Sequence, residues 1–374
     1  VGSDGASPTD AAVGSDGASS TDAAAGSDGA SSTDASDFYV LYNPTNSSTS
    51  RLIDSDGALV HSWTGLYVGG YSVYLLENGH LLRPAQALFR TLSGGAAAGL
   101  LQEIDWDGNV VWEFEYNSAQ YLTHHDIEPM PNGNVLLIAW EVISSSEAGL
   151  AGREPAIEMW VDHIIEVDPS RAAGEEIVWM WRAWDHLVQD VDSQKDNYGD
   201  VGANPGLFDV NMVEIRGGPR GYDWLHINAI SYNPERDEIV ISSHYTNEIY
   251  VIDHSTADYA NPEAGIAAAA GHVGGARGKG GDLLYRWGNP VNYDAPGAQE
   301  FSDVHCQIWI GRVVNLENGE LGSNVIYVDA PTTTSGAVSP IALDSARMAP
   351  VRIPGRALGS TWDQTVCQRV APIP

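Results

Sequence analysis

Positive charge is scarce in this 374-residue chain: 18 Lys and Arg stand against 50 Asp and Glu, a formal net charge of -32 at pH 7. Nucleic-acid binding rests on cations that neutralise phosphates, so this balance excludes DNA and RNA as partners. Long apolar runs are missing too, and none reaches membrane-spanning length, which predicts no transmembrane segment. Sulfur is sparse, with two Cys and five Met. Cys306 and Cys367 fit one disulfide of an exported protein, pinning the C-terminus to the rest, or two free thiols. The chain starts at Val1 with neither Met nor a leader, as expected if a signal peptide has been removed.

Residues 1–36 lack cations and aromatics altogether. They are three near-identical units, VGSDGASPTDAA, VGSDGASSTDAA and AGSDGASSTDAS. Such a segment cannot bury enough apolar surface to offset its ordering entropy, which predicts a disordered, acidic low-complexity tail ahead of a domain spanning 37–374. A repeated tether of this kind suits self-assembly or attachment to a cell surface.

What the chain has in quantity is turns and aromatic side chains, 40 Gly and 12 Trp. From Phe38 onward two phrases recur. One is an apolar strand ending in Asp, a turn, then a strand ending in Trp: RLIDSDGALVHSW, LQEIDWDGNVVWEF and HIIEVDPSRAAGEEIVWMW. The other is strand, turn, strand: YSVYLLENGHLLRPA, HHDIEPMPNGNVLLIAW and HINAISYNPERDEIVISSH. One phrase of each kind makes four antiparallel strands, the size of a propeller blade. The fold class expected is therefore all-β, a β-propeller. Roughly 335 residues divided by blades of about 40 to 60 predict six blades. Blades are expected at 71–116, 124–184, 226–288 and 305–330, with a poorly patterned one after 337. Segment 38–65 is expected to be completed by strands from the C-terminus. Segments 185–222 and 255–281 read as excursions, the second a Gly/Ala-rich surface loop. The Asp-x-Asp-Gly stretches at Asp54 to Gly57 and Asp105 to Gly108 read as tight turns, because they lack the further acidic ligands of a calcium loop.

Histidines carry the more specific signal. His125, His226 and His305 each open a blade's first phrase, in HHDI, WLHINAI and DVHCQIW, and His244 ends the strand after His226. Equivalent positions in successive blades point toward one place, the central channel. Converging imidazoles serve either nucleophilic and acid–base chemistry near neutral pH or ligation of a metal such as Cu or Zn. His61, His80, His163, His186, His254 and His272 fall outside this register and read as structural or exposed.

HHDIEPMPNGNVLLIAWE, WLHINAISYNPERDEIVISSH, NEIYVIDHST, GDLLYRWGNP and the His305 segment together resemble the bacterial arylsulfate sulfotransferase family, over about residues 50 to 310. The resemblance implies a six-bladed propeller, export to the periplasm or beyond, a small phenolic or aryl sulfate substrate, and no cofactor. It further implies ping-pong transfer of a sulfuryl group between phenols through a sulfated histidine. Carried over residue by residue, His305 is the nucleophile, with His125 and His226 as partners. The chain departs from the family pattern at His244, where the family has a catalytic Arg, and at Cys306, where the residue after the nucleophile is usually acidic. Two other readings stand beside transfer: Cu or Zn held by His125, His226, His244 and His305, and a non-catalytic assembly or surface protein using the propeller as a platform.

Overall fold

The computed structural model describes residues 39–54, 56–213, 222–301, 304–314 and 321–329, with backbone alone for 305–314 and 321–329. The fold is all-β and propeller-like. Its first sheet is β1 (Val40–Tyr42), β2 (Thr49–Ile53) and β3 (Leu59–Thr64). The second contains β4 (Tyr74–Leu75), β5 (Leu81–Gln86), β6 (Gly99–Ile104) and β7 (Val110–Glu115). The third contains β8 (Tyr121–Pro129), β9 (Val135–Ile143), β10 (Met159–Val167) and β11 (Ile177–Arg182), with helix α1 (Ser145–Leu150) between β9 and β10. A short parallel pair follows, β12 (Leu187–Val188) and β13 (Phe208–Asp209). The fourth blade sheet is β14 (Ile227–Asn233), β15 (Glu238–Ser243), β16 (Glu248–Asp253) and β17 (Tyr285–Trp287), and β18 (Val304–Val314) then pairs with β19 (Leu321–Asp329). Within each blade sheet the strands pair antiparallel in chain order, as a meander that alternates strands with tight turns must.

The turns use the chemistry their sequences advertise. Gly108 takes φ +91 where β6 turns into β7, and Asp105 Oδ1 accepts the Asn109 amide at 2.8 Å. Asp54 does the same for the Ala58 amide at 2.8 Å, so both Asp-x-Asp-Gly carboxylates serve their own turns. Five tryptophans, Trp63, Trp140, Trp179, Trp181 and Trp224, are fully buried. The largest core joins the third and fourth sheets, where Trp179, Trp181 and Ile164 pack with Trp224, Ile241 and Tyr250. Each large apolar side chain buried there contributes about 1.5–3 kcal/mol.

The inner edge of β14 needs partners for its free amides. Carboxylates of the third sheet supply them: Asp126 Oδ2 accepts from Ile230 N at 3.3 Å, Glu128 Oε1 from Tyr232 N at 3.2 Å, and Asp162 Oδ1 from Ile227 N at 3.2 Å. The sheets are thereby joined edge to edge by side chains, which also protects β14 from pairing with another chain.

Two expectations need correction. The described residues form four blade sheets, not six. Of the other expected blades, 305–330 shows only the pair β18–β19 among the described residues, and the one after 337 lies outside them. The sheets do fall where the repeats put them, at 71–116, 124–184 and 226–288, and 38–65 forms the three-stranded sheet. The tail at 1–36, the strands expected after 337 and the Cys306–Cys367 pair of side chains lie outside the described residues. The second correction concerns the Gly/Ala-rich segment, which contains helix α2 (Pro262–Ala269) packed beside β11 with Ala269 buried. Asn261 caps it by accepting from Ala264 N, Pro262 opens it, and the alanines favour it. No helix among the described residues is long and apolar enough to cross a membrane.

Candidate active site

The register of β8 slips between Thr123 and Ile127, and that of β14 between Ile227 and Ala229. Such bulges re-aim side chains. At the first, His125 adopts φ +52; just before the second, His226 adopts φ +55. Left-handed backbone is unfavourable for a histidine and persists only where its surroundings hold it. Here the Ala96 carbonyl accepts from His125 N at 3.0 Å, and the His226 carbonyl accepts from His244 N at 3.1 Å.

These backbones bring three of the expected histidines together. The His125 and His226 rings lie 4.6 Å apart, centre to centre, and His226 and His244 5.3 Å apart. Tyr245 is 4.8 Å from His226, and Tyr71 is 6.3 Å from His125. All five are half-buried, as a site reached from solvent requires.

A layer behind them, with His124 and Asp162 buried and Asp223 partly so, supports them. Asp223 Oδ2 is 2.5 Å from His226 Nδ1, and Asp223 Oδ1 accepts the Trp140 indole N–H at 3.1 Å. A carboxylate only accepts, so His226 carries its proton on Nδ1 and keeps Nε2 as the basic nitrogen. His125 Nδ1 is 2.8 Å from His124 Nδ1, and His124 stacks on Trp140 at 3.9 Å. Burial pushes the His124 imidazolium down to about 3, so this ring is neutral at pH 7. Its Nε2 lies 3.1 Å from Asp162 Oδ1 without the alignment of a hydrogen bond. Burial, reinforced by the nearby Asp223 charge, holds the Asp162 carboxyl well above the usual carboxylate range.

His305 lies near the start of β18. The register of that strand slips between His305 and Gln307, and the carbonyl of Val304 accepts from Asn228 Nδ2 at 2.7 Å, two residues beyond His226. The His305 side chain lies outside the described residues.

Sequence reasoning missed His124, Asp162, Asp223, Tyr71 and Arg90. The first two sit in apolar strands, and nothing in the repeat marks them. Asp223 had a signal, a carboxylate three residues before a histidine in DWLH. Arg90 stands in the loop between β5 and β6 that reaches over His125. It donates to the Ala87 carbonyl at 2.9 Å and to Gln86 Oε1 at 3.3 Å, while its buried Nε finds no hydrogen-bond partner among the described residues. Burial lowers its pKa, against which the Tyr71 hydroxyl acts in the opposite direction.

The histidines outside the register divide. His61 stacks on Trp106 at 4.0 Å, His80 pairs with Glu103 at 2.6 Å, and buried His163 contacts the Tyr116 hydroxyl at 3.0 Å. His254 bridges Asp237 at 2.6 Å and Glu166 at 2.9 Å. The rings of these four are taken up by contacts within the fold.

Antiparallel blades with bulged inner strands, presenting a histidine cluster in which a carboxylate braces His226, define an all-β propeller-like protein with a candidate acid–base site. The family model for arylsulfotransferase (ASST) matches residues 28–259, and the chain belongs to that family. The match takes in His125, His226 and His244 and ends before His305. No curated protein matches the chain. Among solved structures it is similar to the hydrazine synthase of Kuenenia stuttgartiensis, at 14% identity over 78% of this chain and 68% of that one, with a TM-score of 0.40. It is also similar to a Bacteroides caccae protein of unknown function, at 14% identity over 79% and 74% of the two chains, with a TM-score of 0.36. Likeness at that distance carries no argument about activity.

Proposed function

We propose that this protein transfers a sulfuryl group between phenolic compounds, without a cofactor, through a histidine of the cluster. The observation that carries the proposal is the Asp223-braced His226, packed against His125 and His244 in a chain of the arylsulfotransferase family. His305 is the nucleophile: its Nε2 or Nδ1 lone pair forms the N–S bond as the S–O bond to the aryl group breaks. His226, charged and stabilised by Asp223, delivers its Nε2 proton to the departing phenolate. It then takes a proton from the acceptor phenol, whose oxygen displaces the histidine from sulfur. Proton and sulfuryl group both balance over the cycle. Charge on the sulfate oxygens is met by Arg90 in place of the Arg that the family carries at the position of His244. Tyr71 and Tyr245 offer rings to the aryl group. The protein acts after export, with residues 1–36 as a tether.

Release of nitrophenolate from 4-nitrophenyl sulfate, with and without a second phenol, tests the reading. A sulfuryl adduct on the His305 peptide in the absence of acceptor is expected, and its absence together with no turnover refutes transfer. One observation favours a second reading: a carboxylate on Nδ1 is also how metal-ligating histidines are oriented. Cu or Zn that co-purifies and is lost in His244→Ala supports that reading.

A further inference from the structure

We infer that His186, His272 and Asp282 form a binding site for one divalent zinc-like cation, independent of the transfer reaction. His186 is fully buried and follows a short turn after β11, while His272 and Asp282 sit on the excursion between β16 and β17. Among the described residues, one ligand atom from each of the three lies within 4.8 Å of the others.

The contacts of His186 leave Nδ1 placed to take a cation together with Asp282. Its Nε2 is 3.0 Å from the Ala269 carbonyl, which only accepts, so that nitrogen carries a proton. Its other nitrogen, Nδ1, faces Asp282 Oδ1, 2.8 Å away. An unprotonated Nδ1 and a carboxylate oxygen this close repel unless a proton on Nδ1 or a metal ion bound to both offsets them. The same carboxylate oxygen faces His272 Nδ1 at 2.7 Å. A metal ion bound by His186 Nδ1, His272 Nδ1 and Asp282 resolves the conflict, and the Ala269 carbonyl then becomes the outer partner that fixes a ligating histidine. Two imidazoles and one carboxylate suit Zn²⁺ and leave a coordination position open.

The backbone is built to make this convergence. The excursion closes on itself where Gly281 N donates to the Gly271 carbonyl at 3.0 Å, placing His272 and Asp282 on either side of the crossing. A Cβ on Gly281 would lie 2.0 Å from the Ala269 carbonyl and 2.6 Å from His186 Nε2, so only glycine fits. Trp181 stacks on His186 and donates its indole N–H to the Gly281 carbonyl at 2.7 Å, walling one side. On the other side His272 borders a cleft of about 480 Å³ with Trp184, Asp185, Tyr198 and Asn204. Asp185 adds negative charge beside both histidines.

Titration of the chelator-treated full chain with ZnCl₂, followed by calorimetry and by thermal unfolding, tests the site. One equivalent of Zn²⁺ is expected to bind and to raise the unfolding midpoint by several degrees. His272→Ala, at an exposed side chain, and Asp282→Asn are each expected to abolish that equivalent, while His244→Ala keeps it. Failure of the full chain to take up Zn²⁺, or uptake unchanged in His272→Ala, overturns the site. So does loss of uptake confined to His244→Ala, which places the ion at the other cluster.

Discussion

Asp223 grips His226 and Trp140 with its two oxygens, at 2.5 Å from the imidazole Nδ1 and 3.1 Å from the indole nitrogen. One carboxylate therefore fixes a ring tautomer in the accessible cluster and locks onto a tryptophan of the third sheet. Trp140 in turn stacks on His124, which contacts His125. The cluster is braced from behind along both of its inner histidines.

Replacing Asp223 with Asn keeps the shape but removes the charge that stabilises a His226 imidazolium. In the transfer reaction turnover is expected to fall by about two to four orders of magnitude, with far less change in apparent substrate affinity. Steady-state kinetics on an aryl sulfate checks it; a fall only in affinity assigns Asp223 to binding.

His254 makes stability depend on pH. Burial alone would lower its pKa, but the hydrogen bonds to Asp237 and Glu166 outweigh it and raise the group to about 9 from 6.5. A raised folded pKa contributes stability that is fully present below about pH 6.5 and is lost as the pH climbs through about 9. The contribution is on the order of 3 kcal/mol. Urea unfolding across that window is expected to show the decline, and His254→Gln to flatten it.

A buried ion pair anchors β16 to β17. Arg286 donates to Glu248 through Nε at 2.9 Å and through Nη2 at 2.6 Å, and Asn292 and Tyr250 also donate to the same carboxylate. Glu248→Ala strands a buried guanidinium and is expected to cost about 3–5 kcal/mol, measured by denaturant unfolding. A loss under 1 kcal/mol shows that water reaches the arginine.

The blades were legible because their chemistry is local. Turn residues and apolar alternation repeat, and bulged strands carry a histidine at the same place in the phrase. The blade count was not legible, because the phrases lose their pattern after Trp309 and only a division of length counted the last blades. Helix α2 was announced by Asn261-Pro262 and obscured by the glycine-rich chain around it. The braces were hidden for a different reason. Asp162 and His124 are polar residues within buried strands, and only packing between sheets shows that they face the cluster. His186 is far in sequence from His272 and Asp282, and the three meet through a loop crossing that no periodicity records.

The test of function sets two positions against each other. If Arg90 meets the charge on the sulfate oxygens, Arg90→Ala is expected to slow transfer by about 10²–10³. His244→Arg restores a guanidinium within the cluster, since arginine is always charged and grips two oxygens where imidazole offers one donor. It is therefore expected to hold or raise the rate in the parent chain and to recover part of the loss in the Arg90→Ala background. Transfer unchanged in Arg90→Ala removes that residue from the site. His305→Ala is expected to abolish both turnover and the sulfuryl adduct. An adduct that survives it moves the nucleophile to His125 or His226, and full insensitivity to all three substitutions leaves the platform reading, in which the cluster has no chemical task.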